Sequence, residues 1–170
     1  GKKNLLESDI LKSESPYAAS KISSDHLATS MYKALNIPIV VARPFNTFGP
    51  RQSLRAVIPT IICQFLKTKK NKAEIKIGST STKRDFVYVK DTVNGLIKIM
   101  LNKNNNGEIY NIATNNSHKV SDVIKLVSKI TSIKPLLKIK KQRKRNSEVY
   151  ELKGSNTKLY KNTEKEFYDL

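Results

Sequence analysis

Acidic residues are scarce in this 170-residue chain: 14 Asp and Glu stand against 32 Lys and Arg, for a formal net charge of +18. Cysteine is almost absent. The single Cys63 lies inside the apolar run 57–66, which rules out an internal disulfide framework and reads as a small core residue in a reducing, cytoplasmic compartment. No stretch reaches the roughly 18 consecutive apolar residues of a membrane span, so no membrane partner is expected. The opening residues carry Glu7 and Asp9 and lack an apolar run, so they do not read as a signal peptide. The chain opens on Gly rather than Met and closes on Phe167-Tyr-Asp-Leu170 with no finishing element, which leads us to expect a fragment. No internal repeat is present, and His26 and His118 have no partners at metal-ligand spacing, so no metal is expected.

The six glycines, Gly1, Gly49, Gly78, Gly95, Gly107 and Gly154, are all isolated. None builds the Gly-rich turn between a strand and a helix by which backbone N–H groups cradle a dinucleotide diphosphate. The basic excess favours contact with phosphate, free or in a polymer. Lysine scattered over solvated faces gives the same total. One dense run, Lys134, Lys138, Lys140, Lys141, Arg143, Lys144 and Arg145, supports an alternative reading as a basic nucleic-acid-binding module. That run lacks the interleaved aromatics that stack bases.

What is present alternates helices with short strands, the pattern of an α/β layered fold. Ser15-Pro16 reads as N-cap and first helical residue of a helix running to Leu35, with Ile22, Leu27, Met31 and Leu35 as its apolar stripe and Asn36 as its end. A β-branched run over 37–43, with Pro38 at its start, suits a strand buried on both faces. Residues 44–55 read as loop. Helices are expected over 57–68, from an Asp91 cap to 101, and from a Ser121 cap to 131. Strands are expected over 74–77, 86–89, 108–113 and 136–140, with a short helix at 156–161.

The segment richest in chemistry is Ser15-Pro16-Tyr17-Ala18-Ala19-Ser20-Lys21. Tyr17 and Lys21 are four residues apart and share one helix face. A phenol is a poor base at neutral pH, and a nearby ammonium favours its ionised form. The small residues between them let a planar ligand approach. Such a pair suits proton transfer at a sugar hydroxyl while hydride moves to or from a nicotinamide, although this spacing standing alone more often marks an ordinary surface pair.

That segment, then Arg43-Pro-Phe-Asn-Thr-Phe-Gly-Pro-Arg-Gln-Ser53, Arg55-Ala-Val-Ile-Pro-Thr-Ile-Ile62, Arg84-Asp-Phe-Val-Tyr-Val-Lys-Asp91 and Arg145-Asn-Ser-Glu-Val149, resembles the extended short-chain dehydrogenase/reductases in order and spacing. Within that family the chain most resembles the NAD-dependent UDP-N-acetylglucosamine 4,6-dehydratases of the legionaminic-acid type. The resemblance implies the C-terminal part of a Rossmann-like, doubly wound parallel sheet plus a small α/β substrate-binding domain. Residues 1–55 would belong to the NAD-binding domain and 56–170 mainly to the substrate domain, with 86–100 and 108–113 able to return to the first.

It further implies that Tyr17 is the catalytic acid/base and that Lys21 holds the nicotinamide ribose. Pro44 and Phe45 would lie against the nicotinamide, outside the carboxyl end of a parallel strand. Asn46 would meet the substrate's sugar or phosphate. Arg84, with Arg51 as a second candidate, would grip the diphosphate through a bidentate fork. Arg145 and Glu148 would contact diphosphate and nucleoside ribose, although the family's Arg-Pro is Arg-Asn here. Asp85 and Asp91 read as structural. The activity implied is NAD-dependent dehydration of a nucleoside-diphosphate sugar, with 4-epimerisation as the alternative. Partners would be that substrate, a second copy of the chain or a complementing N-terminal fragment. Because the Gly-rich half is missing from this sequence, the chain alone is expected to bind NAD weakly and to be inactive.

Overall fold

The computed structural model describes residues 4–68, 71–139 and 149–161. In chain order the elements are α1 (Pro16–Leu35), β1 (Val41–Pro44), β2 (Asn46–Phe48), α2 (Val57–Leu66), β3 (Lys72–Ile77), β4 (Lys83–Arg84), β5 (Phe86–Tyr88), α3 (Val89–Leu101), a 3₁₀ turn (Lys103–Asn105), β6 (Ile109–Ile112), β7 (His118–Lys119), α4 (Val120–Thr131), β8 (Lys134–Ile139) and β9 (Glu151–Leu152). The α/β class expected from the sequence is the class observed.

Helix α1 starts and stops where its end residues dictate. Ser15 is extended and its Oγ accepts the Ala18 N–H at 3.1 Å, with Pro16 in the first turn. Asn36 takes a left-handed conformation (φ 53°) and donates its N–H to the Tyr32 carbonyl at 2.9 Å. Other boundaries differ from expectation. The strand expected from residue 37 begins at Val41, because Pro38 has no N–H for a ladder. Asp91 and Ser121 are not caps: Tyr88 and Lys119 hold those positions, while the Asp122 carboxylate reaches back to accept the Lys119 N–H at 3.1 Å. Residues 157–161 form turns rather than a helix.

The strands pair mostly in parallel. β1 runs beside β6 from Val41↔Ile109 to Pro44↔Ile112, and β2 beside β5 from Asn46↔Phe86 to Phe48↔Tyr88. β3 pairs with β8 over six residues, and β4 lies between antiparallel β7 and parallel β9. The stretch read as loop over 44–55 thus contains a strand, β2. Three residues are too few to show alternation, and only the partner strand reveals them.

Two apolar cores result. Ile58, Ile61 and Phe65 of α2 meet Ala73, Ile75 and Ile77 of β3, and Val120, Val123 and Ile124 of α4, with Phe86. Residues alternate along β3, with those three turned inward and Lys72, Glu74 and Lys76 outward. The second core gathers Val87, Ile99, Ile112 and Leu159 with Phe45, Val40 and Ala42. Neighbouring residues of β5 face opposite sides, so Phe86 belongs to one core and Val87 to the other, making β5 the seam between them. Each fully buried Ile or Phe contributes about 1.5–3 kcal/mol relative to exposure.

Helix α1 stands apart from both cores. None of its residues is buried, and Leu27 and Leu35 of the expected stripe are exposed. An ion-pair fork holds it: Arg43 Nε and Nη2 donate to the two Asp25 carboxylate oxygens at 2.7 and 3.2 Å, and Nη1 donates to the Glu7 carbonyl at 2.9 Å. Cys63 is half-buried, not fully inside the core. Among the described residues no helix is long and apolar enough to cross a membrane.

Candidate active site

Tyr17 and Lys21 lie on one face of α1, as their spacing requires. The Lys21 ammonium is 5.7 Å from the centre of the Tyr17 ring, and Tyr17 is 72% exposed. Between them the Ser20 hydroxyl folds back onto the Tyr17 carbonyl at 2.8 Å, so Ala18, Ala19 and Ser20 present a low surface. Pro44 is exposed at the carboxyl end of β1. Phe45 is half-buried in the second core: a Cβ on Gly154 would sit 2.5 Å from its ring.

A second cluster lines a cavity of about 440 Å³ between β2, the start of α2 and the loop after β3. Asn46, Gln52, Arg55, Ser79, Thr82 and Arg84 supply its polar wall, and Phe48, Ile58, Phe86 and Val120 part of its apolar one. The Asn46 amide nitrogen donates to the Asp85 carbonyl at 3.2 Å. A carbonyl only accepts, so this bond fixes the flip and turns the amide oxygen elsewhere. Gln52 is oriented the same way by a 2.7 Å bond to the Thr47 carbonyl, and its own buried oxygen has no partner. Arg84 Nη1 donates to the Lys83 and Val149 carbonyls at 2.7 and 2.9 Å, which fixes where its guanidinium stands.

Helix α2 begins at this cavity without a side-chain cap and without an acid in its first turn, and Ala56, Val57 and Ile58 line the wall. Its leading N–H groups and the positive end of its dipole therefore suit an anion. Arg55 lines the same cavity as Arg84. Sequence reasoning passed over Arg55 as a site residue, although its place directly before the helix start was the available signal.

The expected site residues thus fall into groups. Asn46 and Arg84 share the cavity. Tyr17, Lys21 and Arg51 are not among its described lining residues, and Arg51 is exposed in a left-handed turn (φ 64°). Arg145 and Glu148, with residues 140–144 of the basic run, lie outside the described residues.

Asp85 is fully buried beside Arg84. Its carboxylate accepts from the Thr114 N–H at 2.9 Å, the Thr114 hydroxyl at 2.7 Å and the Gly154 N–H at 3.2 Å. Burial holds this carboxyl above the ordinary carboxylate range despite those bonds. Glu151 is held below that range, first by the Ser117 hydroxyl at 2.6 Å and then by charge from Lys83 at 3.6 Å.

Comparison with known proteins adds a family to this geometry. Residues 2–168 match the family model described as GDP-mannose 4,6 dehydratase. A dTDP-D-glucose 4,6-dehydratase of Dictyostelium discoideum is 34% identical over 125 residues, covering 74% of this chain and 28% of that protein. A GDP-6-deoxy-D-mannose reductase of Pseudomonas aeruginosa is 27% identical over 150 residues, 87% of this chain and 49% of its own length. The structure of a UDP-glucuronic acid 4-epimerase from Bacillus cereus, in complex with UDP-glucuronic acid and NAD, superposes with a TM-score of 0.79 at 25% identity, over 94% of this chain and 49% of that one. The chain therefore spans half or less of the length of each of these relatives.

Proposed function

The chain belongs to the GDP-mannose 4,6-dehydratase family of extended short-chain dehydrogenase/reductases, and from that premise we propose that it is the substrate-holding and proton-transferring part of an NAD-dependent nucleotide-sugar 4,6-dehydratase. The observation that carries this reading is the cavity in which Arg55, Arg84 and the uncapped start of α2 converge with Asn46. Two guanidiniums and a helix N-terminus suit a diphosphate. The Asn46 amide oxygen, turned from Asp85, accepts well from a sugar hydroxyl. Following the motif resemblance, the sugar is UDP-N-acetylglucosamine-like.

Tyr17 takes or returns a proton at the sugar hydroxyl, and Lys21 supplies the positive charge beside it. NAD, when bound, would supply the hydride acceptor for oxidation of the sugar carbon that bears this hydroxyl. At its nicotinamide end Lys21 would hold the ribose, and Pro44, exposed at the strand end, would lie against the ring. The Gly-rich turn for its diphosphate is not in this sequence. In this reading residues 1–55 mainly serve the cofactor side, with Asn46, Gln52 and Arg55 reaching the substrate cavity, and 56–170 mainly the substrate side. A segment equivalent to the other half of the relatives, in this or another chain, completes the cofactor site.

The B. cereus structure supports a second reading, 4-epimerisation. Calorimetric titration of UDP-N-acetylglucosamine, dTDP-glucose and GDP-mannose tests the substrate. We expect the UDP-sugar to bind tightest, and Arg84→Ala to weaken it about tenfold or more. Failure of all three to bind would overturn the reading. With a complementing half added, a product lighter by one water marks a dehydratase, and a product of unchanged mass marks an epimerase.

A further inference from the structure

We infer that Asp85 is a positioning residue for the cavity: it touches no ligand itself but fixes Asn46 and Arg84 where the ligand meets them. The inference rests on the cavity being the substrate site. Three strands' ends converge on this residue. Its carboxylate ties the end of β6, through Thr114, to the segment after β9, through Gly154. Its main chain ties the same region to the cavity wall. The Asp85 N–H donates to the Leu152 carbonyl at 2.9 Å, and its carbonyl accepts both the Asn46 N–H at 3.1 Å and the Asn46 side-chain amide at 3.2 Å. Both donors of Asn46 that face Asp85 are therefore set by where that one carbonyl stands.

Arg84 precedes Asp85 and is itself a lining residue of the cavity. Displacing the buried carboxylate moves the β4–β5 junction, and with it both ligand-facing groups. A residue that merely filled the core would not need a charge. Burial of a carboxylate is costly, and this one spends its oxygens on three donors drawn from two distant segments.

The test uses the 170-residue chain with UDP as probe. Asp85→Asn keeps the shape but turns one acceptor into a donor that faces Thr114 or Gly154. We expect UDP affinity to fall about tenfold at a temperature where both proteins are folded. In an Arg84→Ala background the same change should cost clearly less, because Asp85 acts on the diphosphate through Arg84. A purely structural role would lower the melting temperature and leave the affinity unchanged, and that result would overturn the inference, as would additive losses in the cycle.

If Asp85→Asn does not fold, Thr114→Val removes one donor alone. It should weaken UDP binding about threefold, and unchanged affinity would count against positioning. If the unmodified chain binds no UDP, the site reading fails separately. Hydrogen exchange at the Asn46 backbone amide then decides the positional claim: faster exchange in Thr114→Val supports it, and unchanged protection overturns it.

Discussion

Gly154 lies where a Cβ would stand 2.5 Å from the Phe45 ring and 2.6 Å from the Ala113 methyl. Both neighbours belong to packed strand ends, so neither can retreat cheaply. Gly154→Ala should therefore cost about 1–3 kcal/mol by overpacking, seen as an earlier midpoint in urea unfolding. Two carboxyls at this scale pull stability in opposite directions with pH. The folded state holds the Asp85 proton more tightly than the unfolded chain does, because burial penalises its charge. Its contribution to stability thus declines as pH rises from the ordinary carboxylate range through its raised value. Glu151, favoured as an anion by Ser117 and then Lys83, contributes stability above the ordinary range and loses it as pH falls below. Glu151→Gln should flatten that acid-side loss. Thermal melts from about pH 3 to about pH 6 check this, and an unaltered acid profile would rule it out.

At the level of elements, α1 is attached by few contacts. Asp25 and Arg43 are mostly enclosed, with side-chain exposures of 11% and 19%, and they join the helix to β1 through a two-bond fork. Asp25→Ala leaves the guanidinium without its main partner and should loosen α1 by about 1–3 kcal/mol. Faster hydrogen exchange confined to α1 amides would show it, whereas a uniform loss across the cores would not fit. The ends of this helix were legible because Ser15, Pro16 and Asn36 act locally. The strand expected over 74–77 was legible too, although β3 starts two residues earlier, at Lys72. β2, β4, β7 and β9 were not legible. Each is two or three residues long, and each exists by pairing with a strand distant in sequence.

For the molecule as a whole, the open question is what it does unaided. The cavity is built from elements within residues 46–120, so nucleotide-sugar binding should survive in the chain by itself. NAD binding should not: with no Gly-rich turn, we expect a Kd weaker than about 100 μM by calorimetry, and a tighter value would contradict the proposal. The sequence by itself determined the α/β alternation and the placing of Tyr17 and Lys21 on one face, since helical periodicity alone brings residues four apart together. Arg84 and Asn46 were singled out only through the family resemblance of their motifs. That these two stand with Arg55 around one cavity, apart from Tyr17, and that Asp85 is spent on Thr114 and Gly154, was decided only by the tertiary structure. Those groups are brought together by strand pairing across long stretches of chain, for which local sequence carries no period and no cap.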